Sequence, residues 1–200
     1  MIVKPEHFKY LLIQRGEVSD AYKRGFDEWK RAYEGSLEAI MASIDGALPQ
    51  DCRAVLDVGG GMGGIGIHLS RRYKAAAYWV LDGVDDPPEV RSHHEPFNNA
   101  KVAKSFHEAN GVLTSQWVPP SIEKFDVKFD LVVSFAAWGF HIIPGDYIDL
   151  VKSALAPHAT VILDVRKTRP DWLSDLVTAF GRPSHVLERG KKHVRIAWQT

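Results

Sequence analysis

Val55-Leu56-Asp57-Val58-Gly59-Gly60-Gly61-Met62-Gly63-Gly64-Ile65-Gly66 is the stretch that decides the fold. An apolar run from Arg53 to Val58 (RAVLDV) reads as a buried strand, and a helical pattern from Gly63 to Tyr73 places Ile65, Leu69 and Tyr73 inward. The glycines between them let the backbone turn tightly and come close to a ligand. The unpaired N–H groups at the start of the helix then face that ligand. Open α/β sheets bind ligands beyond the carboxyl ends of their strands, so a site is expected here. Asp82 ends a second apolar run, 77–81 (AYWVL), and falls on the same edge. A carboxylate there can accept hydrogen bonds from two ribose hydroxyls.

Outward from this loop, short apolar runs alternate with helical patterns. Helices are expected over Pro96–Asn110 (Phe97, Val102, Ala103, Phe106 and Ala109 inward), Pro144–Leu155 and Pro170–Phe180. Further strands are expected over Val112–Val118, Phe129–Phe135 and Ala159–Val165. That alternation means a parallel sheet with helices on both faces. Ser184–Arg189 and His193–Gln199 flank Gly190 and alternate as an antiparallel pair does, which suggests a hairpin on the sheet edge. Residues 1–50 differ. Tyr22, Phe26, Trp29, Tyr33, Leu37, Ile40 and Ile44 recur at steps of three and four, the stripe of one helix from Ser19 to Ile44. Gly25 and Gly35 weaken that helix by roughly 1 kcal/mol each, which packing of the stripe must offset. The chain divides into a helical extension, 1–50, which could form part of a lid, and a ligand-binding domain, 51–200.

With 25 Lys+Arg against 25 Asp+Glu, the chain lacks the basic excess of a protein that neutralises many phosphates, so generic nucleic-acid binding is disfavoured. A single cysteine, Cys52, excludes an internal disulfide and a cysteine-built zinc site. No apolar run is long enough to span a membrane, and the opening MIVKPEHFKY lacks the apolar core of a signal peptide. A cytoplasmic location is the expectation, and a homo-oligomer is compatible with the pattern without being specified by it.

Two ligand classes compete for the loop. Gly59, Gly61 and Gly64 fit G-x-G-x-x-G, with Asp82 at about the spacing of a ribose acid, as in NAD(P)-dependent oxidoreductases. Asp57, however, sits two residues before the first glycine, where a carboxylate would repel a pyrophosphate and favour an ammonium. The run hh-D-h-G-x-G-x-G resembles motif I of the class I S-adenosylmethionine-dependent methyltransferases, and the resemblance covers about residues 51–200. It implies a Rossmann-like, doubly wound, mostly parallel seven-stranded sheet with the antiparallel hairpin at its end. It also implies S-adenosyl-L-methionine as cofactor, held by Asp57, Gly59, Gly60, Gly61, Gly63 and Asp82, with Ser134 at the end of strand four beside it. The turn into strand five departs from the family, with His158-Ala159 where many members have Gly-Gly. Many members also place an acidic residue after strand three to meet the adenine. Here that stretch is Trp117-Val118-Pro119-Pro120-Ser121, where Ser121 can hydrogen-bond and Trp117 or Val118 can pack.

Methyl transfer needs alignment, exclusion of water and often a base. The stretch Ser134–Pro144 follows strand four, and His141 within it is the candidate base. Its structural alternative is a histidine that packs ahead of the next helix. Trp138 and Phe140 are candidate substrate walls or core. The long stretch Gly83–Glu95 adds Arg91, His93 and His94 as candidate substrate contacts. Adjacent histidines project in different directions, so no metal is expected. SFAAWGFHIIPGDY and ILDVRK resemble a bacterial group assigned as sugar O-methyltransferases, which implies a small-molecule acceptor with a sugar or glycan-precursor hydroxyl. DNA amino-methylating enzymes carry an Asp/Asn-Pro-Pro-aromatic motif after strand four, but Pro119-Pro120 follows strand three. N-methylation, or a catalytically inactive subunit that only binds the cofactor, stays open.

Overall fold

The computed structural model describes the backbone of residues 1–14, 23, 25–83 and 99–200, and their side chains except at 9 and 12–14. The described elements are α1 (Pro5–Gln14), α2 (Phe26–Ile44), β1 (Ala54–Val58), α3 (Gly64–Arg72), β2 (Ala77–Leu81), α4 (Ala100–Ala109), β3 (Ser115–Val118), β4 (Phe129–Ser134), α5 (Ile148–Ala154), β5 (Leu155–Arg166), α6 (Pro170–Phe180), β6 (His185–Glu188) and β7 (His193–Gln199). The strands form one sheet in the order β3-β2-β1-β4-β5-β7-β6. The first five are parallel, and β7 pairs antiparallel with both β5 and β6. This is the expected doubly wound seven-stranded sheet with its terminal hairpin. Every residue of β1 is buried, as a central parallel strand covered on both faces requires.

The two faces carry separate cores. Val55, Tyr78, Leu131, Val133 and Ile162 pack under α2 and α3. Leu56, Val132, Val161, Leu163 and Trp198 pack on the other face with Val151 of α5 and Leu176 of α6. Trp29, Tyr33, Leu37 and Ile44 of α2 are buried in the first core, so this helix shares its core with the sheet. The Trp29 and Tyr33 rings stack at 5.4 Å, and Phe8 of α1 meets Trp29 edge-on at 4.6 Å. Among the described residues no helix is long and apolar enough to cross a membrane.

Several boundaries differ from expectation. Helix α2 begins at Phe26 and not at Ser19, because Gly25 has φ 110°, which no α-helix passes through. Tyr22 lies outside the described residues, and Phe26 is more exposed than its place in the stripe implied. Helix α1 was not expected; Pro5 at its first position starts it. The helix expected from Pro144 splits into a short 3₁₀ turn, Pro144–Asp146, and α5.

One strand in from the edge, the buried Arg195 of β7 ties three elements together. Its guanidinium donates to both carboxylate oxygens of Asp164 on β5 at 2.8 and 2.9 Å, to Ser43 Oγ on α2 at 2.7 Å and to Glu188 on β6 at 2.5 Å. The two-pronged pairing with Asp164 fixes orientation as well as charge.

Strand β5 is longer than expected because it bulges. Phe129 pairs with Leu155 but Leu131 pairs with Thr160, so β5 has more residues than β4 across the same span. His158 takes up the bend with φ 62°, the left-handed conformation that glycine adopts without steric cost. We expect His158→Gly to raise stability by about 0.5–1 kcal/mol, relief of strain outweighing the flexibility gained by the unfolded chain. Urea denaturation measures it, and an unchanged or lower midpoint would count against the strain.

Candidate active site

The glycine loop is shaped from beneath. Gly59, Gly61 and Gly63 have φ of 69°, 59° and 68°, and Gly63 caps α3 in the left-handed region. Asp57 is 2% exposed, and Tyr78 Oη donates to its Oδ2 at 2.6 Å. A Cβ at Gly60 would lie 2.5 Å from the Asp57 carboxyl carbon, and one at Gly66 would lie 2.2 Å from Tyr78 Cζ. Burial, and then the charge of Asp57, raise the Tyr78 phenol well above its ordinary pKa, so it remains a donor and Asp57 the acceptor.

Asp82 follows β2 and accepts hydrogen bonds from the amide of Gly61 and, at 2.6 Å, from that of Gly83. Burial pushes its carboxyl up to about 6, against the opposing pull of these two amides. Each oxygen keeps a lone pair for one further donor. The loop amide of Gly59 donates in turn to the carbonyl of Leu81 at 2.7 Å, which ties the loop to the end of β2.

His107, which sequence reasoning did not assign, and Trp117 and Tyr33, which it gave other roles, also hold this loop. His107 of α4, fully buried, donates from Nε2 to the carbonyl of Gly63 at 2.8 Å. Burial lowers its pKa to about 4, so the ring is neutral and its Nδ1 is a bare acceptor. Trp117 of β3 meets the His107 ring edge-on at 4.8 Å and directs its indole N–H at the carbonyl of Gly61, 3.5 Å away. Tyr33 of α2 presses on α3, where a Cβ at Gly64 would lie 2.2 Å from its hydroxyl. The spacing Ala103, Phe106, His107 on one helical stripe was the available signal for His107.

The loop after β4 closes on the glycine loop from the other side. A Cβ at Gly59 would lie 2.3 Å from that of Ala137. Ala136 bends the chain with φ 56°, and the Ala137 carbonyl accepts the amides of Phe140, His141 and Ile142 at 3.0, 2.7 and 3.0 Å. This tight turn presents His141 at the surface. Partial burial, and then the charge of Arg166, hold its imidazole below the ordinary value. Arg166, at the end of β5, lies over the Phe140 ring at 4.9 Å.

Two expected contacts find other employment. Ser134 is fully buried, donating to the Val58 carbonyl at 2.7 Å and accepting the Trp138 amide at 2.8 Å. Its hydroxyl thus joins β1 to the turn after β4. Trp138 is also fully buried, its indole donating to the Pro144 carbonyl at 2.9 Å, and it belongs to the second core. Its place is inside the protein and not along a substrate wall. Ser121 lies exposed in the turn after β3. Arg91, His93 and His94 lie outside the described residues. Asn99 caps α4, its side chain accepting the amides of Lys101 and Val102 at 3.1 and 3.2 Å.

These elements enclose a cleft at the carboxyl ends of β1 and β4, lined by Tyr33, Asp57, Gly59, Gly60, Gly64, Ile65 and Phe135. Its charged lining residue is Asp57, and no Lys or Arg is among the seven. Among the described residues no three of His, Cys, Asp and Glu gather as metal ligands do.

No protein-family model matches the chain, and no curated protein matches it by sequence. Solved structures do match it in shape. A SAM-dependent methyltransferase from Aquifex aeolicus superimposes with a TM-score of 0.58 at 15% identity, covering 82% of this chain and 88% of that one. The StiE O-methyltransferase, residues 942–1257, gives 0.64 at 13% identity, covering 89% and 78%. A ribosomal protein L11 methylase from Lactobacillus delbrueckii subsp. bulgaricus gives 0.56 at 18% identity, covering 78% and 74%. With its strand order 3-2-1-4-5-7-6 and antiparallel final strands, the chain has the Rossmann-like fold of the S-adenosylmethionine-dependent methyltransferases.

Proposed function

We propose that the chain transfers a methyl group from S-adenosylmethionine to a hydroxyl of a small-molecule acceptor, with a sugar or glycan precursor as the class to try first. The observation that carries this reading is the cleft itself. Among the described residues its lining offers the buried carboxylate of Asp57 and no cationic side chain, an environment suited to an ammonium and poor for a pyrophosphate. The residues present fit the cofactor. Asp82 would take the ribose hydroxyls on its free lone pairs, and the strongly curved loop from Gly59 to Gly63 would take the amino-acid end. When bound, S-adenosylmethionine supplies an electrophilic methyl on a sulfonium. The chain has to exclude water, orient the acceptor and take its proton. His141 is the proposed base, since its ring stands at the surface of the turn that packs on Gly59. Asp57 and Tyr78 would hold the loop rigid while the acceptor approaches.

Isothermal titration with S-adenosylhomocysteine tests the cofactor. Binding is expected in the native chain and lost in Asp57→Ala that still folds; binding of NADH in its place would install the oxidoreductase reading. Affinity should also depend on pH through Asp82. In the free protein its carboxyl is raised to about 6, and ribose hydroxyls would favour the ionised form, lowering that value in the complex. Binding is therefore strongest above that pH and weakens as pH falls through it. In Asp82→Asn this dependence should vanish, and a flat profile in the native chain would remove Asp82 from the cofactor site.

For His141, we expect His141→Ala to lower kcat by a factor of about 10²–10⁴ with cofactor affinity kept. Because the imidazole is held below its ordinary value, the native rate should persist into mildly acid solution before it declines. Screening radiolabelled methyl transfer against sugars, phenols and peptides measures both effects. Absence of turnover with every acceptor, in a chain that binds S-adenosylhomocysteine, would favour a binding subunit.

A further inference from the structure

The cations of this neutral chain are not evenly spread. Strand β5 runs parallel to β4, so its end at Arg166 lies on the same sheet edge as the His141 turn. Strand β7 runs the other way, so its start at His193 lies there too, paired with Arg166 in register. The turn between β6 and β7 therefore brings Arg189, Lys191 and Lys192 to this edge, and the Lys167 amide donates to the Lys192 carbonyl at 3.0 Å. Lys167, Arg189, Lys191 and Lys192 are exposed. Asp164 on β5 and Glu188 on β6, the carboxylates these strands carry, are already engaged by the buried Arg195. Arg169 beyond them is paired with Asp171. Among the described residues Arg166 has no carboxylate partner.

Arg166 is the member built into the candidate site. Its guanidinium carbon lies over the Phe140 ring, 4.9 Å from the centroid, and the Phe140 ring in turn meets the His141 and His193 rings edge-on, with centroids 4.7 and 6.4 Å away. Its backbone is fixed by a hydrogen bond from its amide to the Gly139 carbonyl at 3.0 Å. A guanidinium stacked on an aromatic ring keeps its in-plane N–H groups free, and these match the paired oxygens of a phosphate or carboxylate. The charge of Arg166 reaches His141, since it contributes to holding that imidazole low. The cationic group and the proposed base thus both lie against the Phe140 ring.

From this juxtaposition we infer that the methyl acceptor carries an oxyanion, a phosphate or carboxylate, that Arg166 binds beside His141, with the lysines of the β6–β7 turn supplying the surrounding positive field. The inference rests on the methyl-transfer reading and narrows its acceptor to an anionic small molecule. A cationic cofactor over Asp57 and an anionic acceptor at Arg166 would then meet at the turn that carries Ala137 and His141.

Inorganic pyrophosphate is the probe, titrated calorimetrically into the full chain saturated with S-adenosylhomocysteine at constant ionic strength. Binding above a chloride control is expected, with displacement of the His141 ring resonances in NMR spectra. Arg166→Gln should weaken it roughly tenfold, the worth of one charge-assisted contact, and leave S-adenosylhomocysteine affinity unchanged. Lys192→Gln, at the exposed turn, should weaken it less and serves as the second variant if Arg166→Gln fails to fold. No pyrophosphate binding, or equal binding by both variants, overturns the inference while leaving methyl transfer standing. A chain that binds pyrophosphate but not S-adenosylhomocysteine would sink methyl transfer and with it the acceptor role of Arg166. Capture of a single-stranded RNA that pyrophosphate cannot displace would overturn the small-molecule acceptor in favour of a nucleic acid.

Discussion

A carboxylate in the centre of a parallel sheet is tolerable only if it is hydrogen-bonded, and the arrangement around Asp57 follows from meeting that requirement. The Tyr78 phenol reaches it from the neighbouring strand, which demands a bare α-carbon at Gly66 for the ring to pass. The carboxylate itself occupies the space where Gly60 would carry a Cβ. One buried charge thereby accounts for two glycines, for the polar end of an otherwise apolar strand face and for the sign of the potential in the cleft. Removing the charge would remove the reason for the shape.

The loop above it is fastened by groups from elements that are distant in the chain. His107 and Trp117 hold its carbonyls, Asp82 holds an amide, and Ala137 leans on Gly59. Each fastening comes from a different segment, so the site forms only when β2, β3, α4 and the turn after β4 are all in place. Backbone groups held in this way need not reorganise when a ligand arrives, which is the condition for effective electrostatic stabilisation.

This division explains what could be read directly from the residues. Strands β2 and β7 and helix α6 start and stop where their patterns do, because apolar runs and flanking Pro or Gly are local signals. The edge carrying Asp57 and Asp82 was legible for the same reason. Tyr33 was legible as one of a helical stripe, but Tyr78 and His107 were not, since each acts through a contact that only tertiary folding creates. Ser134 and Trp138 looked like site residues because one ends β4 and the other follows it, yet the chain there folds inward and buries both. Helix α1 escaped notice because its support is non-local: His7 donates to Ser105 at 3.1 Å and meets the Phe106 ring at 5.2 Å, both on α4.

Arg195 has a consequence for the order in which the chain can assemble. Its bond to Ser43 joins residues 152 positions apart, and the same guanidinium closes β5 against β6. During synthesis α2 emerges long before β7 exists, so its final seat on the sheet is incomplete until nearly the whole domain has been made. Contacts of such long sequence separation slow folding and leave early segments exposed. The aromatic stripe around Trp29 and Tyr33 is then apolar surface that the growing chain covers only as the sheet beneath it forms.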